Sequence, residues 1–160
     1  MTTQIKPAPI RKEFEVKAPI SRAFEAFFAN MHAWSPTSHT LSGGERRDLF
    51  VEPRAGGRWY ELDKDGAECD WGRVVAWNPP RGALLLWQIS SRFQYDPAVE
   101  TEIEVTFSEA GEGRTRVVFE HRKLELLGGD TLATREMLDG DDGWSGALDN
   151  YISYAEGRPA

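Results

Sequence analysis

The clearest periodicity lies near the C-terminus, where Trp144, Ala147, Leu148, Tyr151, Ile152 and Ala155 recur at helical spacing while Ser145, Asp149, Asn150, Ser153 and Glu156 fall opposite. This spacing predicts a one-faced helix over 144–155. Asp139, Asp141 and Asp142 precede it and are expected to cap its first turn. Gly157 and Pro159 are expected to end it. Upstream the period drops to two. Thr101, Ile103, Val105 and Phe107 alternate with Glu102, Glu104 and Thr106; beyond a glycine turn, Val117, Phe119 and His121 alternate with Arg116, Glu120 and Arg122. Each predicted strand has one dry face, with Glu102 and Glu104 set to pair with Arg116 and Arg122 on the wet one.

Further strands are predicted at 10–16, 46–51, 58–62, 68–77 and 83–89, separated by turns such as Pro53 to Gly57, Asp65-Gly66 and Asn78 to Gly82. Ala23, Phe24, Phe27 and Phe28 mark a short helix begun at Pro19 or Ser21, with one more helical turn at 30–34 and a polar loop at 37–44. After Gly128-Gly129 a helical segment is expected at 131–138. The order is strand, helix, a meander of about six strands, then a helical C-terminal region, which reads as one α+β domain over 1–160 with its core at about 10–156. A sheet curved around one helix leaves a cavity at the open end of the grip. Glycine at 72 leaves the facing of Trp71 and Arg73 open, since a bulge after it would invert the parity.

Charge narrows the partners. A formal net charge of -7 opposes attraction to nucleic acid or anionic lipid, and Arg46-Arg47 is read as a solvated strand edge. Cys69 is the single cysteine, so no internal disulfide forms and a reducing, cytoplasmic setting is expected. The polar leader at 1–9 has no signal-peptide core, and no apolar run is long enough to span a membrane.

Val16 with Ala18-Pro19-Ile20 and Phe24, Pro53-Arg54-Ala55-Gly56-Gly57-Arg58-Trp59, Asp65-Gly66, Trp71-Gly72-Arg73-Val74-Val75, Asn78-Pro79-Pro80, Leu84 to Trp87, and Gly143-Trp144 with Leu148 together resemble the START-like (SRPBCC) superfamily. Within it, the chain is similar to the activator of heat-shock-protein ATPase homologues. The resemblance implies a helix-grip fold, with a curved sheet of about six or seven strands around a long C-terminal helix and an apolar pocket between them. Relatives include lipid carriers, polyketide cyclases, hormone receptors and co-chaperone domains. The co-chaperones carry a further N-terminal domain for which this chain has no room, so a chaperone partner ranks below a small apolar or aromatic molecule. A second copy of the chain is also carried as a candidate partner.

Six tryptophans spread over several elements suggest an aromatic cavity whose indole N–H groups orient a ligand. Trp59, Trp71, Trp87, Phe93, Phe107, Phe119, His121, Trp144, Leu148 and Tyr151 are the candidate lining, with Phe93 and Tyr95 at the mouth. His121 shares the dry face of its strand. It is either a satisfied structural imidazole, with a carbonyl, water or Tyr151 as partner, or the acid-base group of a cyclase, dehydratase or hydrolase. Arg73 and Arg92 are candidate carboxylate clamps, though solvated positions suit both. His32 and His39 are read as exposed. The residues lack the spacing for a metal site, a nucleophilic serine or a phosphate loop, so no cofactor is expected.

Overall fold

A computed structural model describes residues 7–157; Pro159 and most of the leader lie outside the described residues. Seven strands form one sheet: β1 (Ile10–Val16), β2 (Arg46–Val51), β3 (Arg58–Asp63), β4 (Glu68–Asn78), β5 (Gly82–Trp87), β6 (Thr101–Glu109) and β7 (Thr115–Arg122). The order β1-β7-β6-β5-β4-β3-β2 makes β2 to β7 a meander, with β1 returning to the edge beside β7; every neighbour is antiparallel. The helices are α1 (Ile20–Phe28), α2 (Met31–Trp34), α3 (Thr131–Asp139) and α4 (Trp144–Ala155). The sheet curls around α4 in a helix-grip arrangement.

The dry faces meet as the alternation requires. On β6 and β7, Ile103, Val105, Phe107, Val117, Phe119 and His121 are buried, and their register pairs Ile103 with His121 and Val105 with Phe119. Trp144, Ala147, Leu148, Tyr151 and Ala155 turn inward from α4. The Tyr151 hydroxyl donates to the Ala23 carbonyl at 2.7 Å, which satisfies a buried phenol and ties α4 to α1. Beyond α4, Gly157 takes a left-handed φ of 77° and its N–H bonds the Tyr154 carbonyl, the stop its sequence position predicts.

Three expectations are corrected. No side chain caps α4, whose N-cap is Gly143; Asp139 is drawn instead to Lys12 and Arg135. The corner between α3 and α4 is too tight for anything but glycine, since a Cβ on Gly143 would lie 2.2 Å from the Leu138 carbonyl and one on Gly146 would lie 2.0 Å from that of Asp141. On the wet face Arg122 does bridge Glu102 and Glu104 at 2.9 and 3.0 Å, but Arg116 lies opposite Ser108 and pairs with Glu13 of β1. Arg46 is not solvated. A bulge at Arg47 inverts the parity at the start of β2 and turns Arg46 into the interior, leaving Arg47 outside.

A second bulge falls at Trp71, before Gly72 rather than after it. Trp59 pairs with Gly72 and Tyr60 with Asp70, so Trp71 is the unpaired extra residue and its ring turns inward while Arg73 faces solvent. Gly72 is required here, because a Cβ would lie 1.7 Å from the Leu86 carbonyl on β5.

Candidate functional site

At the open end of the grip, the 35–41 loop, the corner between α3 and α4, and the ends of β4 and β5 enclose a cavity of about 330 Å³. Trp34, Trp71, Trp87 and Trp144 form its walls, with Phe93, Leu41, Ile89 and Met137 among the other apolar contacts. Phe93 holds a left-handed φ of 57°, which costs a non-glycine residue about 1–3 kcal/mol and sets its half-exposed ring at the rim.

The indole N–H groups do not serve the cavity. Trp34 donates to the Ala26 carbonyl at 2.9 Å, Trp71 to Glu61 at 2.9 Å, Trp87 to the Ile89 carbonyl at 3.2 Å and Trp144 to His121 Nδ1 at 3.1 Å. An indole has one donor, so each is used up and the rings offer the cavity only carbon surface. The expectation of orienting indole donors is thereby corrected.

His121 is the hub behind this wall. It is fully buried, with its ring 5.4 Å from that of Trp87 and 6.0 Å from that of Trp144. Because Trp144 can only donate, Nδ1 must carry the lone pair; Nε2 then carries the proton and faces the Thr101 hydroxyl at 2.9 Å. That hydroxyl donates onward to the Trp87 carbonyl at 2.7 Å. Burial pushes the imidazole down to about 3, so it is neutral at ordinary pH. Both nitrogens are engaged within the protein, and Tyr151, the partner considered from sequence, bonds α1 instead.

Two charged residues position the loop that closes the cavity. Arg46 donates to the Ser35 carbonyl at 2.7 Å, the Ser35 hydroxyl at 3.3 Å, the His39 carbonyl at 2.9 Å and His32 Nδ1 at 3.3 Å. Desolvation lowers its pKa while the Glu61 and Asp48 carboxylates oppose that shift. Glu61, fully buried on β3, accepts from the Thr40 hydroxyl at 2.6 Å, from the Leu41 N–H and from the Trp71 indole. One carboxylate therefore fixes both a wall and the loop facing it. Glu61 is absent from the sequence-based candidates; its alternation with Trp59 along β3 is the signal that points it inward.

Of the candidate lining residues, Trp71, Trp87, Phe93 and Trp144 reach the cavity. Trp59, Phe107, Phe119, His121, Leu148 and Tyr151 lie in the packed core instead. Trp59 stacks behind Trp71 and Trp87 at 5.6 and 5.7 Å, and Phe107 and Tyr151 belong to the cluster around Phe27. Tyr95 lines a neighbouring groove with Arg58, Cys69 and Asp70, which meets the cavity at Leu41 and Phe93. Arg73 and Arg92 touch neither. His39, expected in solvent, lines the cavity, and its Nε2 lies 3.0 Å from the Asp142 carbonyl across the rim. Among the described residues, no three His, Cys, Asp or Glu side chains gather as metal ligands.

A curled antiparallel sheet gripping a C-terminal helix, with a cavity at its open end, defines the helix-grip class of START-like proteins. The chain belongs to the family of Activator of Hsp90 ATPase homolog 1-like proteins, whose sequence model matches residues 17–156. Among solved structures it is similar to an anthrahydroquino-gamma-pyrone synthase, with 36% identity over 92% of this chain and 97% of that one and a TM-score of 0.66. It is also similar to the self-sacrificing resistance protein CalC from Micromonospora echinospora, with 26% identity over 93% and 94% of the two chains and a TM-score of 0.70. The Aha1 dimer from Colwellia psychrerythraea shares the fold at 14% identity over 94% and 97%, with a TM-score of 0.64. No curated protein sequence matches the chain. Among the described residues, no helix is long and apolar enough to cross a membrane.

Proposed function

We propose that this protein binds a planar, polycyclic aromatic molecule, its rings laid among Trp71, Trp87, Trp144 and Phe93. The observation that carries the reading is the wall itself: four indoles around about 330 Å³, every N–H turned away from the space they enclose. Such a wall rewards aromatic carbon and offers little to an aliphatic polar solute. The volume falls at the small end of the roughly 300–1,000 Å³ range of small-molecule sites. The likeness to a synthase of fused aromatic pyrones supports the ligand class.

Turnover of such ring systems is a second reading, favoured by the same likeness. It would have to draw on groups that line the cavity, since His121 is shut behind Trp87 and Trp144. The cavity lends nothing to activation of a heat-shock ATPase, which rests on the family resemblance.

Titration with fused-ring aromatics, followed by tryptophan fluorescence and thermal shift, tests the binding reading. Saturable quenching is expected, with stabilisation of about 2.7 kcal/mol at a hundredfold excess over Kd, both lost in Trp87→Ala. A flat response to every fused-ring compound would remove the reading.

A further inference from the structure

We propose that His39 recognises the ligand, its Nδ1 accepting a hydrogen bond from a ring hydroxyl, so that the class bound is hydroxylated aromatics, phenols or enols. This rests on the aromatic-binding reading and adds to it the polar half of the recognition.

The argument is one of remaining capacity. The four indole N–H groups are spent on partners inside the protein. The Thr40 hydroxyl gives its proton to Glu61 and the buried Ser35 hydroxyl accepts from Arg46, so each keeps only part of its capacity. Among lining side chains His39 is the one with a ring nitrogen that accepts nothing, beside those two hydroxyls, the exposed Ser38 hydroxyl and the exposed Asp142 at the rim.

The state of the ring follows from its partner. A carbonyl can only accept, so the nitrogen 3.0 Å from the Asp142 oxygen, Nε2, carries a proton. In the neutral ring Nδ1 is then a bare acceptor, and no hydrogen-bond donor among the described residues takes it. Burial lowers the pKa of His39, and the neighbouring Arg46 charge adds to this against the opposing Asp142 carbonyl and carboxylate, which favours the neutral ring. The residue is also held from its main chain, its carbonyl by Arg46 at 2.9 Å and its N–H by the Pro36 carbonyl at 3.0 Å. A fixed, neutral acceptor at the edge of an aromatic wall selects a donor on the ring's rim. A ligand oxygen without a proton would meet the Nδ1 lone pair instead.

The test uses β-naphthol and its methyl ether, which match in ring system but differ in the hydroxyl proton. Wild-type protein is expected to bind β-naphthol about tenfold more tightly than the ether. In His39→Leu, which has no acceptor to offer a ring hydroxyl, the preference is expected to fall towards unity with the affinity for the ether unchanged. Ser38→Ala should keep the preference. In labelled wild-type protein, the His39 Nδ1 resonance is expected to move with β-naphthol and stay with the ether, a readout that does not depend on a variant folding. Equal binding of the two compounds by wild type, a preference that survives His39→Leu, one abolished by Ser38→Ala, or an unmoved Nδ1 resonance would each overturn the His39 assignment while leaving aromatic binding intact. Failure of both compounds, together with every other fused-ring aromatic, would overturn both.

Discussion

Acid should weaken this protein through His121. In the unfolded chain the imidazole titrates near 6.5, whereas burial in the fold pushes it down to about 3. Between those values the unfolded chain holds a proton that the folded chain lacks, so the contribution of the neutral ring is complete above about pH 6.5 and declines as pH falls. From pH 7 to pH 4.5 the two titration curves separate by roughly 2–3 kcal/mol for this one group. For a chain of this length that corresponds to a fall in Tm of about 7 °C. His32 and His39 are also lowered by burial and act in the same direction. Glu13, held down chiefly by its hydrogen bond to Arg11, and Glu102, held down chiefly by Lys123, add their losses mainly at lower pH.

The His121 share is isolated by comparing wild type with His121→Gln, which retains a donor and an acceptor but does not titrate in this range. Urea denaturation at pH 7 and at pH 4.5 should show a smaller stability at pH 7 for the variant and a loss on acidification smaller than the wild-type loss by roughly 2–3 kcal/mol. Parallel losses in the two proteins would mean that His121 accepts a proton in the folded state. That would refute the hydrogen-bonded chain from Trp144 through His121 and Thr101 to Trp87 as the support of the cavity wall.

Three further substitutions probe the frame of the site. Gly146→Ala would stabilise an ordinary helix by about 0.5–1 kcal/mol, yet here a Cβ would lie 2.0 Å from the Asp141 carbonyl, so a loss of about 1–3 kcal/mol is expected on denaturation; a raised midpoint would show that the corner is slack. Glu61→Gln brings an NH2 group among three converging donors and should lower stability by about 1–3 kcal/mol, with faster amide exchange at Leu41; unchanged exchange would free the loop from dependence on the carboxylate. Phe93→Gly relieves the left-handed backbone while loosening the unfolded chain, so stability should hold within about 1 kcal/mol as affinity for β-naphthol drops; wild-type affinity would remove Phe93 from the binding wall.

The fold was legible because the faces that build it are regular. From Thr101 to His121 the alternation continues across the turn, and from Trp144 to Ala155 the helical spacing holds without interruption, so both dry faces could be read and matched. His121 was likewise placed on the dry face by parity, but its role was not legible. Which partners meet a buried imidazole depends on the side chain delivered by α4, and nothing in the spacing of Trp144 and His121 announces a 3.1 Å hydrogen bond. The same limit explains the surplus of expected lining residues. Period two distinguishes inside from outside, not the filled interior around Phe27 and Tyr151 from the open end beside Trp87 and Trp144.

Of the three bulges among the described residues of the sheet, the one at Val75 leaves that side chain in solvent, and the other two serve the site. Strict alternation from Leu49 and Val51 would turn Arg47 inward, and the bulge sends Arg46 there instead to hold the Ser35 and His39 carbonyls. Strict alternation from Val74 and Gly72 would turn Asp70 inward, and the second bulge supplies the Trp71 indole to Glu61. Each of these two bulges thus exchanges what a regular strand would bury for a group that fixes the 35–41 loop or the wall opposite it. That loop has no period of its own, so His39 could be placed only through Arg46 and through Asp142, which lies 103 residues further along the chain. Regular strands would have turned Arg47 and Asp70 into this end; the two bulges put there instead the Arg46 guanidinium that holds the His39 carbonyl and the Trp71 indole that meets Glu61.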